Sequence, residues 1–103
     1  MSIKKVITGL ELLMLISSGM VVAADYDKGT KALDSGNYKA ALVEFIPLAE
    51  QGDAKAQGDL GYMYEFGYGV LKSYKTAVKW YTLAAEQGDA YSQYNLGGMG
   101  RAH

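Results

Sequence analysis

The sequence predicts an all-α fold, an α–α superhelix (solenoid) built of antiparallel helix pairs. The first observation is that the six-residue word AEQGDA at residues 49–54 returns unchanged at residues 85–90, 36 positions later. A word repeated at that distance is typical of repeat architectures, in which each repeat is one supersecondary unit. The second observation is that apolar residues recur every three or four positions on both sides of the word, as the buried face of a helix requires.

The repeat extends beyond these six residues and also makes physical sense. When the chain is aligned with itself at this offset from Tyr38 onward, 13 of 26 positions are identical. Gly52 and Gly88 suit the left-handed conformation that closes a helix. Asp53 and Asp89 suit the N-cap of the next helix, where a carboxylate accepts from free backbone N–H groups. Two helices joined by so short a turn must pack antiparallel.

The first 24 residues are predicted to be an export signal with a cleavage site at its end. Lys4 and Lys5 form a short basic region, residues 12–24 are almost entirely apolar or small, and Val22-Ala23-Ala24 fits the small-residue cleavage pattern. An uncleaved membrane anchor and a buried core helix are the alternatives, but the apolar run is short against the roughly 20 residues that span a bilayer. The expected location is therefore the periplasm or the outside of the cell, with no membrane association after cleavage.

Composition limits the partners of the remaining residues 25–103. They carry 8 basic and 10 acidic residues. The resulting net charge of −2 provides no electrostatic attraction to nucleic acid or anionic lipid. The chain has no cysteine, so it has no disulfide and no thiolate metal site, and His103 is its only histidine. We therefore predict no cofactor, no metal and no nucleic-acid partner.

The first helical pair is predicted at residues 26–33 and 38–51. Gly36 is expected to end the first helix and Asn37 to cap the second. Pro47 removes a backbone donor inside the second helix, so we expect a kink or a fresh helical start there. The buried face of that helix is predicted to consist of Ala41, Leu42, Phe45, Leu48 and Ala49.

The second helical pair is predicted at residues 54–66 and 74–87. Gly58 and Gly61 each lower helix propensity by about 1 kcal/mol relative to alanine, which favours the close approach of a neighbouring helix there. Val70 in the following loop is expected to plug into the core. The remaining assignments are Ser73 as the next N-cap, Ala77, Tyr81, Ala84 and Ala85 facing inward, and Trp80 covering the side.

A fifth helix is predicted from Asp89 to about Met99. At this period a partner helix should follow, but the sequence ends soon afterwards. An apolar stripe that includes Tyr94 and Leu96 is therefore expected to be uncovered on one side. A homodimer through this uncovered C-terminal helix is one expected form of partner.

Six segments carry a resemblance to a known family: Asp53–Gln57, Leu60–Tyr64, Gly67–Val70, Tyr74–Ala77, Trp80–Tyr81 and Ala84–Gly88. Together they resemble the Sel1-like repeat, a relative of the tetratricopeptide repeat with a longer loop between its helices. The resemblance covers a full repeat at residues 53–88 and the first half of another at 89–103, a truncated repeat. Residues 25–52 look like a diverged leading repeat. The resemblance implies an α-solenoid that scaffolds protein–protein contacts, often in exported bacterial proteins.

The candidate binding residues follow from this arrangement, because the first helix of each pair lines the concave surface of such a solenoid. They are Lys55, Asp59 and Tyr62, together with Tyr91 and Asn95 at the equivalents of Lys55 and Asp59 in the next copy. Exposed tyrosines, with Tyr62, Tyr68 and Tyr91 as candidates, suit the anchoring of a peptide, since tyrosine offers large contact area at low entropy cost. A solvated face without a ligand is the alternative.

No set of residues predicts catalysis. The pair Gly67 and Gly69 lacks the third glycine of a nucleotide loop and follows a helix instead of a strand. Most of the carboxylates are predicted to be helix caps or solvated helix positions, and none to form an acid–base pair; they are Asp53, Asp59, Glu65, Glu86 and Asp89. We therefore predict that the protein is not an enzyme, and no feature supports the alternative of a hydrolase acting on cell-wall or peptide substrates.

Two hypotheses about function remain. The first is an exported adaptor that binds another protein or an extended peptide through its concave helix face. The alternative is a truncated structural remnant of a longer Sel1 repeat protein that is stable only when it self-associates.

Overall fold

The computed structural model describes residues 23–102, with side chains as far as Gly100, and this part of the chain folds into five α-helices without a strand. In chain order they are α1 (Tyr26–Asp34), α2 (Tyr38–Glu50), α3 (Ala54–Phe66), α4 (Tyr74–Glu86) and α5 (Ala90–Ala102). Each helix packs against its neighbours in sequence, and α3 also contacts α5. Contacts that are confined to neighbouring units are those of a solenoid, so the predicted all-α architecture is confirmed.

The predicted export signal lies outside the described residues, apart from Ala23 and Ala24. Within the described range, no helix combines the length and the apolar character that crossing a membrane requires.

The helix boundaries are set by side-chain caps and by glycine turns, largely as the sequence predicts. Asn37, Asp53 and Ser73 each accept a hydrogen bond from the backbone N–H three residues later, and Asp25 does the same ahead of α1. Asp89 accepts from the Ser92 N–H at 3.0 Å, ahead of α5. The turns are closed by residues with positive φ, namely Gly36 (81°), Gly52 (99°) and Gly88 (95°). Because a left-handed residue ends one helix and the next residue caps the following helix, the chain reverses direction within this short turn.

The first core cluster fills the space between α1, α2 and α3 and is centred on Phe45, which is fully buried. Its other buried members are Ala41, Ala49, Ala56, Leu60 and Met63, and Leu42 and Leu48 pack against it half-buried. The expectation that Val70 plugs the core is wrong, because Val70 is half-buried and Tyr68 is the loop residue that packs on this cluster. The Tyr68 ring stacks on Tyr38 with 4.7 Å between ring centroids, a larger contact than valine could make.

The second core cluster joins α4 and α5 and consists of Ala77, Tyr81 and Met99. Of the residues predicted to face inward on α4, Ala77, Tyr81 and Ala84 are fully buried, whereas Ala85 is half-buried. The two close approaches predicted at the glycines of α3 are confirmed. A Cβ atom at Gly58 would lie 2.8 Å from Ser92 Oγ on α5, and one at Gly61 would lie 2.6 Å from the Tyr81 ring.

The structure tests two expectations about helix continuity. Helix α2 runs through Pro47 as one helix, with Phe45 and Ala49 buried on either side of the proline, so a fresh helical start there is wrong, whereas the kink stays a prediction. Helix α5 does not end near Met99 but continues to Ala102. The glycines in its last turns do not stop it, because none of them adopts a positive φ.

Candidate binding site

A cavity of about 520 Å³ opens where α1, the start of α2, α3 and α5 meet the loop after α3. Its lining residues are Leu33, Asp34, Tyr38, Asp59, Tyr62, Tyr68 and Tyr91. We call it the tyrosine cavity, because four of these seven residues are tyrosines and two of the others are aspartates. Rings and carboxylates thus surround one space that is built from four helices and a loop.

The tyrosine wall of the cavity is a set of mutually packed rings. Tyr68 stacks on Tyr38 and also lies 5.6 Å from Tyr62, while Phe66 packs behind both Tyr62 and Tyr68. The backbone at Gly69 makes this possible. It has a φ of 75°, and a Cβ atom there would lie 2.8 Å from Cβ of Tyr38. A side chain at this position would therefore push the loop off α2 and separate Tyr68 from Tyr38.

The opposite wall centres on Asp59 of α3. Its Oδ2 accepts a hydrogen bond of 2.6 Å from the hydroxyl of Tyr26 on α1. Burial raises the pKa of Asp59 to about 6, and the bond from Tyr26 opposes only part of that rise. Burial and this same bond raise the pKa of Tyr26 as well. The prediction of a solvated helix position is thus wrong for Asp59, because α1 folds across it.

Glu65 differs from its prediction in the same way. It accepts a hydrogen bond of 2.8 Å from the hydroxyl of Tyr81, and its carboxylate is part of the packing between α3 and α4. By contrast, Asp53 and Asp89 are the caps that the sequence predicts, and Glu86 is exposed. The two carboxylates that depart from the prediction are those that a buried or half-buried tyrosine can reach.

A second, smaller cavity of about 290 Å³ adjoins the first and is lined by Tyr26, Lys55, Asp59, Asp89 and Tyr91. Lys55 is exposed, and its Nζ lies 5.9 Å from the centre of the Tyr26 ring. Asp59 and Tyr91 belong to both cavities, so the two spaces form one continuous surface along α1, α3 and α5.

The structure brings four of the five predicted site residues, Lys55, Asp59, Tyr62 and Tyr91, to these two cavities. The fifth, Asn95, is half-buried and lines neither cavity. Burial raises the pKa of Tyr91, and the neighbouring Asn95 side chain partly offsets that rise. Asn95 therefore lies next to a lining residue but does not itself line a cavity.

Sequence reasoning missed the contributions of the first repeat, which are Tyr26, Leu33, Asp34 and Tyr38. The self-alignment starts at Tyr38, so it carries no signal for the positions before it. The alternation of first and second helices could have placed α1 beside α3. It could not have told which side of α1 faces Asp59.

Comparison with known families and proteins gives one positive finding. The family model described as Sel1 repeat matches residues 54–89 and 90–103. This chain is a Sel1-like repeat protein. No curated protein and no solved structure matches it. Sel1 repeats form a non-catalytic scaffold family and generally mediate protein–protein interaction.

The two Sel1 repeats use the same internal hydrogen bond with different burial. Gln57 Nε2 donates to the Ala49 carbonyl at 3.1 Å, and its equivalent Gln93 donates to the Ala85 carbonyl at the same distance. Gln57 is buried and also accepts from Gln87, whereas Gln93 is exposed. The glutamine that follows the repeated word thus connects each helical pair to the preceding one.

The site positions change between the Sel1 repeats. The equivalent of Lys55 is Tyr91, and the equivalent of Asp59 is Asn95. The second repeat therefore places a ring where the first has a lysine, and it has an amide in place of the half-buried carboxylate. Within the described residues no group of His, Cys, Asp and Glu side chains is arranged to hold a metal ion. The two cavities thus present aromatic rings, hydrogen-bond acceptors and negative charge to a ligand.

Proposed function

We propose that this protein is an exported scaffold that binds a segment of another protein, or an extended peptide, along the concave face formed by α1, α3 and α5. The observation that carries the proposal is the tyrosine cavity, in which four rings and two carboxylates converge on that face. Tyrosine gives large, rigid contact area together with a hydroxyl that can hydrogen-bond, so it is favoured at peptide-binding surfaces.

The rings of this cavity are held in place before any ligand arrives. Tyr68 stacks on Tyr38, and the ring of Tyr91 packs edge-on against the buried ring of Tyr81, with 6.5 Å between centroids. Tyr91 is nevertheless 47% exposed, so its ring remains available for contact. A surface whose anchors are already ordered loses little side-chain entropy on binding, which favours affinity.

The test is selection of a random 12-residue peptide display library on the full chain. We compare it with a variant that carries Lys55→Glu, Asp59→Lys and Tyr62→Ala. The matched control places the same kinds of change on α4, with Lys79→Glu, Glu86→Lys and Leu83→Ala, all at exposed positions. Circular dichroism melting confirms that each variant is folded.

We expect selected peptides to bind the wild type and the α4 variant and to lose at least tenfold affinity for the concave-face variant. Equal binding to all three would contradict the proposed site.

Export is the second part of the proposal, and the charge and apolar pattern of residues 1–24 supports it. Expression of the full chain in a bacterial host should yield a soluble periplasmic or secreted protein. Its intact mass should be that of a chain that begins at Asp25. Ala24→Phe should block cleavage, while Ala24→Ser keeps a small residue there and should be cleaved normally. Full-length protein in the cytoplasm, or in the membrane fraction, would contradict this part.

Self-association is the second candidate for the partner. A largely apolar groove of about 350 Å³ lies between α4 and α5, lined by Tyr74, Val78, Leu96, Met99 and Gly100. The equivalents of Tyr74 and Val78 in the preceding repeat are Tyr38 and Leu42, which the loop around Gly69 covers. A second copy seated on this groove would bury it in the same way.

Size-exclusion light scattering across a concentration range decides between monomer and dimer. If a second copy occupies the groove, Val78→Asp should abolish the dimer. Leu71→Asp adds the same charge in the loop, at a side chain that is 91% exposed, and should leave the dimer intact. A monomer at every concentration would remove this candidate and leave the peptide-binding scaffold.

A further inference from the structure

The geometry points to a basic side chain, lysine or arginine, as the group that the tyrosine cavity takes from the bound segment. This inference rests on the proposed function and adds the chemistry of the ligand to it. Three features support it, namely the charges around the cavity, the faces of its rings and the environment of Asp59.

The charges that line the two adjoining cavities are mainly negative. Asp34 and Asp59 line the tyrosine cavity, and Asp89 lines the smaller one. Lys55 is the one basic residue among the lining residues, and its ammonium group lies over Tyr26 beside the smaller cavity. A site with this balance favours a cation and repels an acidic peptide.

The rings suit the same ligand. Tyrosine rings carry negative charge on their faces and attract an ammonium or guanidinium group placed over them. The cavity presents Tyr38, Tyr62, Tyr68 and Tyr91, and the long apolar stem of a lysine or arginine side chain would pack along rings while its charged end reaches a carboxylate. The described residues offer no cluster of carboxylates suited to a metal ion, so an organic cation fits better.

Asp59 supplies the carboxylate. It is half-buried, and the charges that act on it most strongly are those of Asp89, Asp34 and Asp53, all of the same sign. Among the described residues, no lysine or arginine lies within ion-pair distance of Asp59. The salt bridge found in this part of the chain joins Lys28 and Glu44 and does not involve Asp59. A carboxylate removed from water without a cation is unfavourable, and an incoming basic side chain would relieve that cost.

The pH dependence of binding follows from the groups that face Asp59. These are Tyr26 and Asp34 from α1, Asp53, Lys55 and Tyr62 from its own helix, and Asp89 and Tyr91 from the start of α5. Since the pKa of Asp59 is raised to about 6, the carboxylate is largely ionised at pH 7.5 and largely protonated at pH 5. Affinity for a cation should therefore fall by about tenfold between these values.

The experiment starts from the peptides selected on the wild-type full chain. We expect them to be enriched in lysine or arginine, and the best binder is resynthesised with its basic residue replaced by glutamine. This replacement should cost at least tenfold in Kd against the wild type and less than twofold against Asp59→Asn, which keeps an acceptor for the Tyr26 hydroxyl. The Asp59→Asn variant should also lose the pH dependence, whereas the exposed control Glu86→Gln should keep both effects.

The outcomes separate this inference from the proposed function. Peptides that need Tyr62 but contain no basic residue would overturn the cation site and leave the peptide-binding function standing. An equal cost of the glutamine replacement in the wild type and in Asp59→Asn would overturn the cation site in the same way. If no peptide depends on the concave face, the proposed function itself is wrong.

Discussion

Gly61 of α3 lies directly against the ring of Tyr81 on α4. A Cβ atom at Gly61 would come within 2.6 to 2.9 Å of three ring atoms of Tyr81. Tyr81 is the largest fully buried side chain of the described residues, and it fits against α3 because Gly61 has no side chain. Glycine lowers the helix propensity of α3 at this position, and the closer packing of α3 against α4 offsets that loss.

Replacing Gly61 by alanine should destabilise the protein. The gain in helix propensity is about 1 kcal/mol, while overpacking against a buried ring that cannot move away costs about 1–3 kcal/mol or more. We expect a net loss of up to about 2 kcal/mol. Chemical denaturation followed by circular dichroism measures it.

Gly98→Ala is the matched control for this substitution. Gly98 lies inside α5, and an added Cβ atom would meet nothing within 4 Å. Alanine there should stabilise the protein by about 0.5–1 kcal/mol, because only the propensity term operates. Equal effects at the two glycines would mean that Tyr81 is not confined as described.

Tyr81→Phe isolates the hydroxyl that joins α4 to Glu65. The buried ring stays, but the hydrogen bond of 2.8 Å that the hydroxyl donates to Glu65 is lost. We expect a loss of about 1 kcal/mol in the free energy of unfolding. Tyr94→Phe removes a hydroxyl from a side chain that is 75% exposed and should change stability by less than about 0.5 kcal/mol.

The two equivalent glutamines should differ in their response to alanine. Gln57→Ala removes a buried donor to the Ala49 carbonyl, which keeps only the Gly52 N–H at 3.0 Å, and it also removes the acceptor of Gln87, at an expected cost of about 1–3 kcal/mol. Gln93→Ala removes an exposed hydrogen bond to the Ala85 carbonyl, which keeps the Gly88 N–H at 2.9 Å, so we expect a cost below about 1 kcal/mol. Urea unfolding of the two variants side by side thus measures the joint effect of burial and of the additional bond with Gln87.

Asp59 should make the protein less stable as pH rises. Its pKa is about 6 in the folded chain and about 3.9 in an unfolded one, so between these values the folded state binds more protons. Stability then decreases from about pH 4 to about pH 6 and levels off above that, by at most about 3 kcal/mol. Asp59→Asn should remove this decrease and gain stability at pH 8 but little at pH 4.

Thermal melts of the wild type and Asp59→Asn across this pH range provide the measurement. The exposed carboxylate of Glu86 is the control, and Glu86→Gln should leave the shape of the pH profile unchanged. If the stability of the wild type relative to Asp59→Asn rises between pH 4 and pH 6, Asp59 is stabilised, and not penalised, in its ionised form.

Local signals in the sequence predicted the helices well because the causes of helix boundaries are themselves local. A glycine followed by a capping aspartate ends one helix and starts the next regardless of what surrounds it, as at Gly52 and Asp53. Where the prediction failed, tertiary packing was the reason. Pro47 stays inside one helix because its neighbours are buried, and Tyr68 takes the place expected for Val70 because Tyr38 offers it a ring.

The candidate site was predictable to the extent that it follows the repeat. The 36-residue period relates Lys55 to Tyr91 and Asp59 to Asn95, and the alternation of helices places them on one face. The first-repeat residues were not predictable, since Tyr26 lies 33 positions from Asp59 and outside the self-aligned region. A hydrogen bond over that separation depends on how α1 docks, which no local pattern encodes.

By itself, the sequence determined that the protein is an all-α repeat, where its helices begin and end, and which small residues lie at its helix contacts. These features depend on caps, periodicity and backbone conformation, all of which act within a few residues. Only the tertiary structure decided that Asp59 is partly removed from water beneath Tyr26, that Asn95 lines neither cavity, and that four tyrosines surround one space. Burial and the convergence of charges arise when distant segments pack, so they exist only in the folded chain.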